Sequence, residues 1–286
     1  MFFLPIASAS SEGVSMMAQP LIDRSGFLRY FTNSILFTMI VVVAIVVLAR
    51  QATRRMQLVP GAGQNMFEAI VEALYDMLEG VVGKHMIPRV FSLLATLFIF
   101  ILVSNWSGLL PGVGTIGWGE KVGPLTLRVV EHPLLRPTTA DLNMTLAMAL
   151  FFMVVWLYWT LTEVGPRSFI LHLFAPKGGL KGIMATLLLP IFIFVGIIEV
   201  ISILFRPVSL SMRLYGNMFA GETLLHTMST LGDKLPAPFS YILSVVMPLP
   251  FYFLELLVGI VQALVFMLLC AAYIALSTAH EEDEGH

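Results

Sequence analysis

Long apolar stretches separated by short polar segments make up most of the chain. The segments 31–49, 89–110 and 140–162 each contain close to twenty residues with few charges, which is the length an α-helix needs to cross about 30 Å of hydrocarbon. Two later segments, 183–229 and 237–279, are about twice that length. The pattern predicts an all-α integral membrane protein with about five membrane-embedded helices.

The two long segments are separated by a polar turn that contains Gly232, Asp233 and Pro236. Each segment either contains a break or lies strongly tilted, partly buried against something other than lipid. The sequence therefore predicts a tilted antiparallel hairpin over residues 183–279.

Residues 64–83 follow a different pattern, because acidic side chains alternate with apolar ones at helical spacing. The apolar positions are Phe67, Ile70, Val71, Leu74, Met77 and Leu78, and the acidic ones are Glu68, Glu72, Asp76 and Glu79. This arrangement is typical of an amphipathic helix lying on a membrane surface. Since its polar face is acidic, we expect it to pack on protein as much as on lipid.

Basic residues define the expected orientation. Arg50, Arg54 and Arg55 follow the first span, which places the next segment and the amphipathic helix in the cytoplasm. The expected organisation is one membrane domain over residues 1–286, with an external arm (1–30), two spans within 89–162 joined by an external loop (111–139), the tilted hairpin, and an acidic cytoplasmic tail (280–286).

Composition agrees with a membrane protein and narrows the function. Hydrophobic residues make up 58% of the chain, charged residues 12%, and mean hydropathy is +0.89. A net charge of −2 argues against nucleic acid as a partner. The single cysteine, Cys270, excludes an internal disulfide. We expect no cofactor and no metal, because neither a Gly-rich phosphate loop nor a metal-ligand spacing is present.

Arg213 lies in the middle of the fourth apolar segment, where an ionised guanidinium costs at least about 2.5 kcal/mol and cannot lose its proton. At about 100° per residue, five polar residues fall within about 80° of one another on this helix. They are Glu199, Arg206, Ser209, Arg213 and Asn217. Glu199 lies roughly 21 Å toward the cytoplasm from Arg213, and Glu222 lies about 13 Å toward the outside on nearly the opposite face.

The last segment adds Glu255 and Gln262, which share one helical face. In an antiparallel hairpin, Glu222 and Glu255 both lie near its outer half. Two neighbouring carboxylates in a low dielectric tend to share a proton, which suits a relay.

Structural alternatives remain for several of these residues. Arg206, next to Pro207, is compatible with a side chain that snorkels to the interface, and Arg213 with a structural salt bridge to Glu222 or Glu199. Asn217 and Gln262 are compatible with interhelical hydrogen-bonding residues, and Gly216 and Gly221 with positions of close helix approach.

The sequence closely resembles subunit a of the F-type ATP synthase. The most specific likeness lies in Pro-Val-Ser-Leu-Ser-Met-Arg-Leu-Tyr-Gly-Asn-Met-Phe-Ala-Gly-Glu, residues 207–222, and in Gln-Ala-Leu-Val-Phe, residues 262–266. Weaker likeness lies in Asn-Trp-Ser-Gly-Leu-Leu-Pro, residues 105–111, and in Ala-Asp-Leu-Asn-Met-Thr-Leu, residues 140–146.

The resemblance implies roles for the polar residues. Arg213 matches the essential arginine of the family, whereas Asn217, Glu222 and Gln262 match polar channel residues. Glu199 matches the carboxylate of the cytoplasmic half-channel. Glu255 stands where many relatives have histidine, which keeps a relay plausible but leaves its order of proton transfer open.

The resemblance also implies partners and a mechanism. The tilted hairpin would face the ring of c subunits, the b subunits of the peripheral stalk would be neighbours, and ATP chemistry would lie elsewhere in the complex. Protons would pass through two offset half-channels in a bacterial plasma membrane, or alternatively in an organelle membrane. The main alternative is a proton-coupled secondary transporter of an anionic solute, although the chain lacks the internal repeats common in such transporters. A purely structural membrane subunit would leave the charges at the midplane unexplained.

Overall fold

The computed structural model describes residues 32–54, 56–57, 61–110, 113, 117–118, 132–133, 135–174, 183–231 and 239–278. Its helices are α1 (Asn33–Thr53), α2 (Ala62–Val82), α3 (Ile87–Gly108), α4 (Leu142–Glu163), α5 (Pro166–Phe174), α6 (Ile183–Thr230), α7 (Phe239–Val246) and α8 (Pro248–Thr278). A two-residue antiparallel ladder joins β1 (Gly117–Trp118) to β2 (His132–Pro133), and a 3₁₀ turn covers Thr138–Ala140.

Five helical segments in the described part of the chain are long and apolar enough to cross a membrane, as the sequence predicted. They are Asn33–Thr53, Ile87–Gly108, Leu142–Glu163, Pro190–Thr230 and Leu243–Ser277. The all-α membrane fold class is therefore confirmed. The expected external arm (1–30) and the acidic tail (280–286) lie outside the described residues.

Local sequence signals account for several helix ends. The Thr32 hydroxyl accepts a hydrogen bond from the Ile35 amide at the start of α1, and the Asp141 carboxylate accepts one from the Asn143 amide at the start of α4. Each satisfies an amide that has no partner within the helix. The helix α2 ends at Val82 and is followed by Gly83, whose φ of 84° favours a residue without a Cβ atom.

The two segments that are about twice the length of a single span, 183–229 and 237–279, differ in structure. The helix α6 is continuous over 48 residues despite Pro190 and Pro207, and at 1.5 Å per residue it is about 72 Å long. This length is more than twice the roughly 30 Å thickness of the hydrocarbon layer. Since α6 is unbroken, its strong tilt stays the prediction. The second segment contains a break, because α7 ends at Val246 and α8 begins at Pro248.

The core lies where α3, α4 and α8 meet the middle of α6 and one face of α2. Its fully buried members include Leu78, Ile101, Phe152, Leu214 and Met267. The buried face of α2 consists of Leu74, Leu78 and Val82, and this helix packs on α3 and α8. The amphipathic helix therefore rests on protein, as its acidic polar face suggested.

The chain direction gives the molecule two ends. The outer end, where α3 and α6 terminate and α4 begins, is the end that the basic residues predict to be external. The inner end comprises the start of α6 and the terminus of α8. The short helix α5, which the sequence analysis did not anticipate, packs on α6.

Candidate functional site

Arg213 is exposed near the middle of the apolar segment Pro190–Thr230. Its neighbours Met212 and Asn217 share this exposed face, whereas Leu214 and Met218 face the core. Within the described residues, Arg213 forms no hydrogen bond or ion pair. The alternative of a salt bridge inside the chain is therefore wrong for this part of the protein.

Asn217 follows Arg213 by one helical turn and joins α6 to α8. Its Nδ2 atom donates a hydrogen bond of 2.6 Å to Oε1 of Gln262, a residue only 4% exposed. The predicted interhelical hydrogen bond is therefore present, and it also fixes the amide of Asn217 beside Arg213. An amide pair between two apolar helices can stabilise their contact. The same pair also provides polar atoms that water can contact.

Glu255 approaches α6 one turn farther toward the outer end. Its carboxylate packs directly against the Cα atom of Gly221, so that a Cβ atom at this glycine would overlap it. Glu255 is 4% exposed, and its Oε1 atom has no hydrogen-bond partner among the described residues. Gly221 immediately precedes Glu222, whose Oε2 atom is likewise buried and without such a partner. The two carboxylates expected to form a relay are thus brought to one level of the hairpin.

The pairs Asn217–Gln262 and Gly221–Glu255 also define the direction of the helices, because the later residue in α6 meets the earlier residue in α8. The predicted antiparallel hairpin is therefore present. Gly221 is a position of close helix approach, whereas nothing lies within 4 Å of a Cβ atom built at Gly216. Gly216 instead lies on the exposed face.

Three contacts hold α8 against the outer end of α3. Asn105 Nδ2 donates to the carbonyl of Gly259, and Trp106 Nε1 donates to the carbonyl of Leu256, both at 3.2 Å. The Tyr252 hydroxyl donates to the carbonyl of Leu109. These contacts flank Glu255 on both sides, so its backbone position is fixed by α3. Sequence reasoning found Asn105 and Trp106 only as parts of a weak motif.

Arg206 does not snorkel freely, because two aromatic rings hold its guanidinium. The carbon Cζ lies 5.4 Å from the ring centroid of Trp156 in α4 and 4.6 Å from that of Tyr273 in α8, both within cation–π range. Trp156 in turn donates from Nε1 to the carbonyl of Tyr273 at 3.0 Å. We call Trp156 and Tyr273 the aromatic clamp.

Glu199 lies on the inner side of the aromatic clamp and is half-buried. Its carboxylate interacts electrostatically with Arg206. The structure therefore separates the predicted site residues into two groups on either side of Arg213. Glu222 and Glu255 form the outer group, and Glu199 with Arg206 forms the inner group.

One charged residue near the outer group was missed by the sequence analysis. Arg136 is only 6% exposed, and its positive charge acts on Glu222. Its Nη2 atom donates to the carbonyl of Ala140 at 3.0 Å. The available signal was an arginine directly before the Pro-Thr-Thr-Ala sequence that leads into α4, but no periodicity marks a side chain in such a connection.

Comparison with known proteins decides what kind of subunit carries this arrangement. Residues 34–275 match the family described as ATP synthase A chain. The chain belongs to the ATP synthase subunit a family. The ATP synthase subunit a of Geobacter sp. (strain M21) is 35% identical over 259 residues, which cover 89% of this chain and 91% of that protein. The subunit a of Protochlamydia amoebophila (strain UWE25) is 30% identical over 262 residues, covering 90% and 84%.

Family membership confirms the resemblance and sets aside the secondary-transporter alternative. As a member of the subunit a family, the chain is a proton-translocating subunit of the ATP synthase membrane sector and not the catalytic part of that complex. The match spans all five apolar helical segments almost completely. The arrangement around Arg213 therefore lies wholly inside the region that defines the family.

Proposed function

We propose that this chain provides two offset proton half-channels and that Arg213 couples proton passage to rotation of a ring of c subunits. The observation that carries this proposal is the exposure of Arg213 in an apolar segment without an ionic partner among the described residues. A cation in hydrocarbon is retained only where something offsets its cost. We therefore assign its counter-charge to another molecule, namely a carboxylate on the rotor ring.

The outer half-channel leads protons to the ring through Glu222 and Glu255. Both carboxylates have a buried oxygen without a hydrogen-bond partner in the described part of the chain, which leaves acceptor capacity for water or a proton. The amides of Asn217 and Gln262 continue this polar path from Glu255 toward Arg213.

The inner half-channel leads protons away past Glu199. This residue lies roughly 21 Å from Arg213 along α6, on the other side of it from Glu222. A proton that enters at the outer group therefore reaches the inner group only by travelling on the ring. The clamped guanidinium of Arg206 lies between Arg213 and Glu199 and keeps a second positive charge at the inner side.

Arg213 performs two tasks in this scheme. It attracts the deprotonated rotor carboxylate, and it repels a proton that would cross directly from one half-channel to the other. Its charge is permanent, so the barrier does not depend on local pH. Each charge that moves through 100 mV supplies about 2.3 kcal/mol, and several must pass in sequence to drive the formation of one ATP in the partner subunits.

The exposed face of α6 around Arg213 is the proposed contact with the ring. Exposed large apolar side chains continue along α6 from Arg213 toward the inner end, among them Ile201, Leu204, Phe205, Val208 and Met212. We also assign the peripheral-stalk b subunits as neighbours and a bacterial plasma membrane as the location, as the family resemblance implies.

Cysteine cross-linking tests the proposed contact. A cysteine at Met212, which is 52% exposed, should cross-link to a cysteine on the ring subunit, whereas one at the fully buried Leu214 should not. The native Cys270 is buried and gives a low background. Equal cross-linking at both positions, or none at Met212 in an assembled complex, contradicts the assignment of this face.

A further inference from the structure

The segment 136–140 connects the external loop to α4 and is inserted into the outer end of the bundle. Thr138, Thr139 and Ala140 are fully buried, and Arg136 is 6% exposed. The Thr138 hydroxyl lies 3.0 Å from that of Thr38 in α1. A connecting segment this deeply buried has a fixed position, so the charge of Arg136 has one as well.

The same segment is wedged between α3 and α6. A Cβ atom at Gly108 would lie 2.9 Å from Cβ of Pro137 and 3.7 Å from Cε of Met218. Met218 precedes Glu222 by one turn of α6, so both point toward the side of the helix that meets the segment. The wedge therefore brings Arg136 and Glu222 to the same side of α6.

Charge complementarity links the two residues. Burial of an arginine is unfavourable unless a counter-charge or hydrogen bonds offset its desolvation. A hydrogen bond from Nη2 to the carbonyl of Ala140 helps to fix the guanidinium in place. The carboxylate of Glu222 supplies the charge on which Arg136 acts.

We propose that Arg136 is a positioning residue for the outer half-channel, which holds the Glu222 carboxylate at the point where protons enter. This inference rests on the proposed function, since it assigns Arg136 a role only if protons pass by Glu222. A fixed guanidinium attracts the ionised Glu222 carboxylate and holds it on the side of Arg136 between proton passages.

The test compares charge-preserving and charge-removing variants in the assembled complex. Proton pumping driven by ATP is measured in inverted membrane vesicles, per assembled complex, for Arg136→Lys and Arg136→Met. We expect Arg136→Met to slow pumping by roughly tenfold or more, because loss of one partner leaves a buried charge uncompensated. Arg136→Lys should stay within about threefold of the wild type, because the Glu222 carboxylate on which Arg136 acts favours the charged form of a lysine at this position.

A second background separates positioning from a purely structural role. In Glu222→Asp complexes that retain residual pumping, Arg136→Met should cause little further loss, because residues that act on one step show non-additive effects. Arg89→Met is a matched control, since this arginine pairs with Glu163 at the inner end and is 55% exposed. It should pump normally, as exposed ion pairs contribute little.

Several results overturn the inference. Equal losses for Arg136→Lys and Arg136→Met in assembled complexes, or an undiminished effect of Arg136→Met in the Glu222→Asp background, show a structural role. If Arg136→Met does not assemble, slow pumping by an assembled Arg136→Lys complex contradicts the proposal by itself. If Glu222→Gln pumps normally, the proposed function fails. If Glu222→Gln blocks pumping while Arg136→Met does not slow it, only this inference fails.

Discussion

Gly221→Ala adds a single methyl group at the point where α6 and α8 come closest. The new Cβ atom would overlap the carboxylate of Glu255, so either the helices separate or the carboxylate moves. Insertion of one methyl group into a packed contact costs about 1–3 kcal/mol. If this free energy adds to the barrier of the proton-transfer step, that step becomes about 5- to 150-fold slower.

Gly216→Ala is a matched control in the same helix. Nothing lies within 4 Å of a Cβ atom there, so the methyl group should leave Glu255 undisturbed. Both variants receive the same gain in helix propensity, about 1 kcal/mol, and differ only in what the methyl group contacts. Gly216 lies on the face proposed to meet the ring, so Gly216→Ala is expected to lower the pumping rate by at most about twofold.

The assay is the rate of ATP-driven proton pumping per assembled complex in inverted vesicles. Gly221→Ala should be slow, and Gly221→Ala combined with Glu255→Asp should recover part of the rate, because the shorter side chain withdraws the carboxylate by about 1.5 Å. Equal rates for Gly216→Ala and Gly221→Ala would refute the reasoning that the glycine makes room for Glu255. So would a double variant that is slower than either single one.

Four further predictions concern the proton path, the orientation of the chain and the aromatic clamp. Glu255→Gln should slow pumping strongly without dissociating the complex, and an unchanged rate would reject its role as a relay. A cysteine at Glu199 should react with hydrophilic thiol reagents from the cytoplasm, and inertness from both sides would count against an exit path there. Asp283→Cys should be labelled only from the cytoplasm, so labelling from outside overturns the predicted orientation. At the aromatic clamp, Tyr273→Phe should keep normal pumping because the ring over Arg206 remains, and a loss as large as that of Tyr273→Leu would contradict this.

The helices were predictable because a membrane span has a composition that few other structures share. About twenty apolar residues in succession identify a span, and α1, α3 and α4 lie within a few residues of the predicted segments. The amphipathic pattern of α2 was equally informative. The position of the break between α7 and α8 was not predictable, because Pro248 resembles Pro207 in the sequence, and Pro207 lies inside a continuous helix.

The polar stripe of α6 also followed from the sequence, since helical arithmetic alone separates Arg213 from Glu222. What the sequence lacked was tertiary information. The clamp on Arg206 joins residues from three helices, and the contact of Glu255 with Gly221 requires the register of α6 against α8. Arg136 was missed because a residue in a connecting segment belongs to no periodic pattern, so its burial appears only when the segment is folded against α3 and α6.

The central claim is that the charge of Arg213 couples the two half-channels, and it is tested most directly by replacing that charge. ATP synthesis and passive proton flux are measured in membranes that contain equal amounts of assembled wild-type, Arg213→Lys and Arg213→Ala complex. We expect Arg213→Ala to abolish coupled synthesis and to let protons leak between the half-channels. We also expect severe impairment in Arg213→Lys, because a lysine without a carboxylate partner in a low-dielectric site can lose its proton and lacks the planar guanidinium. Near-normal coupled synthesis in Arg213→Ala would show that the arginine is structural and that its charge does not couple the half-channels.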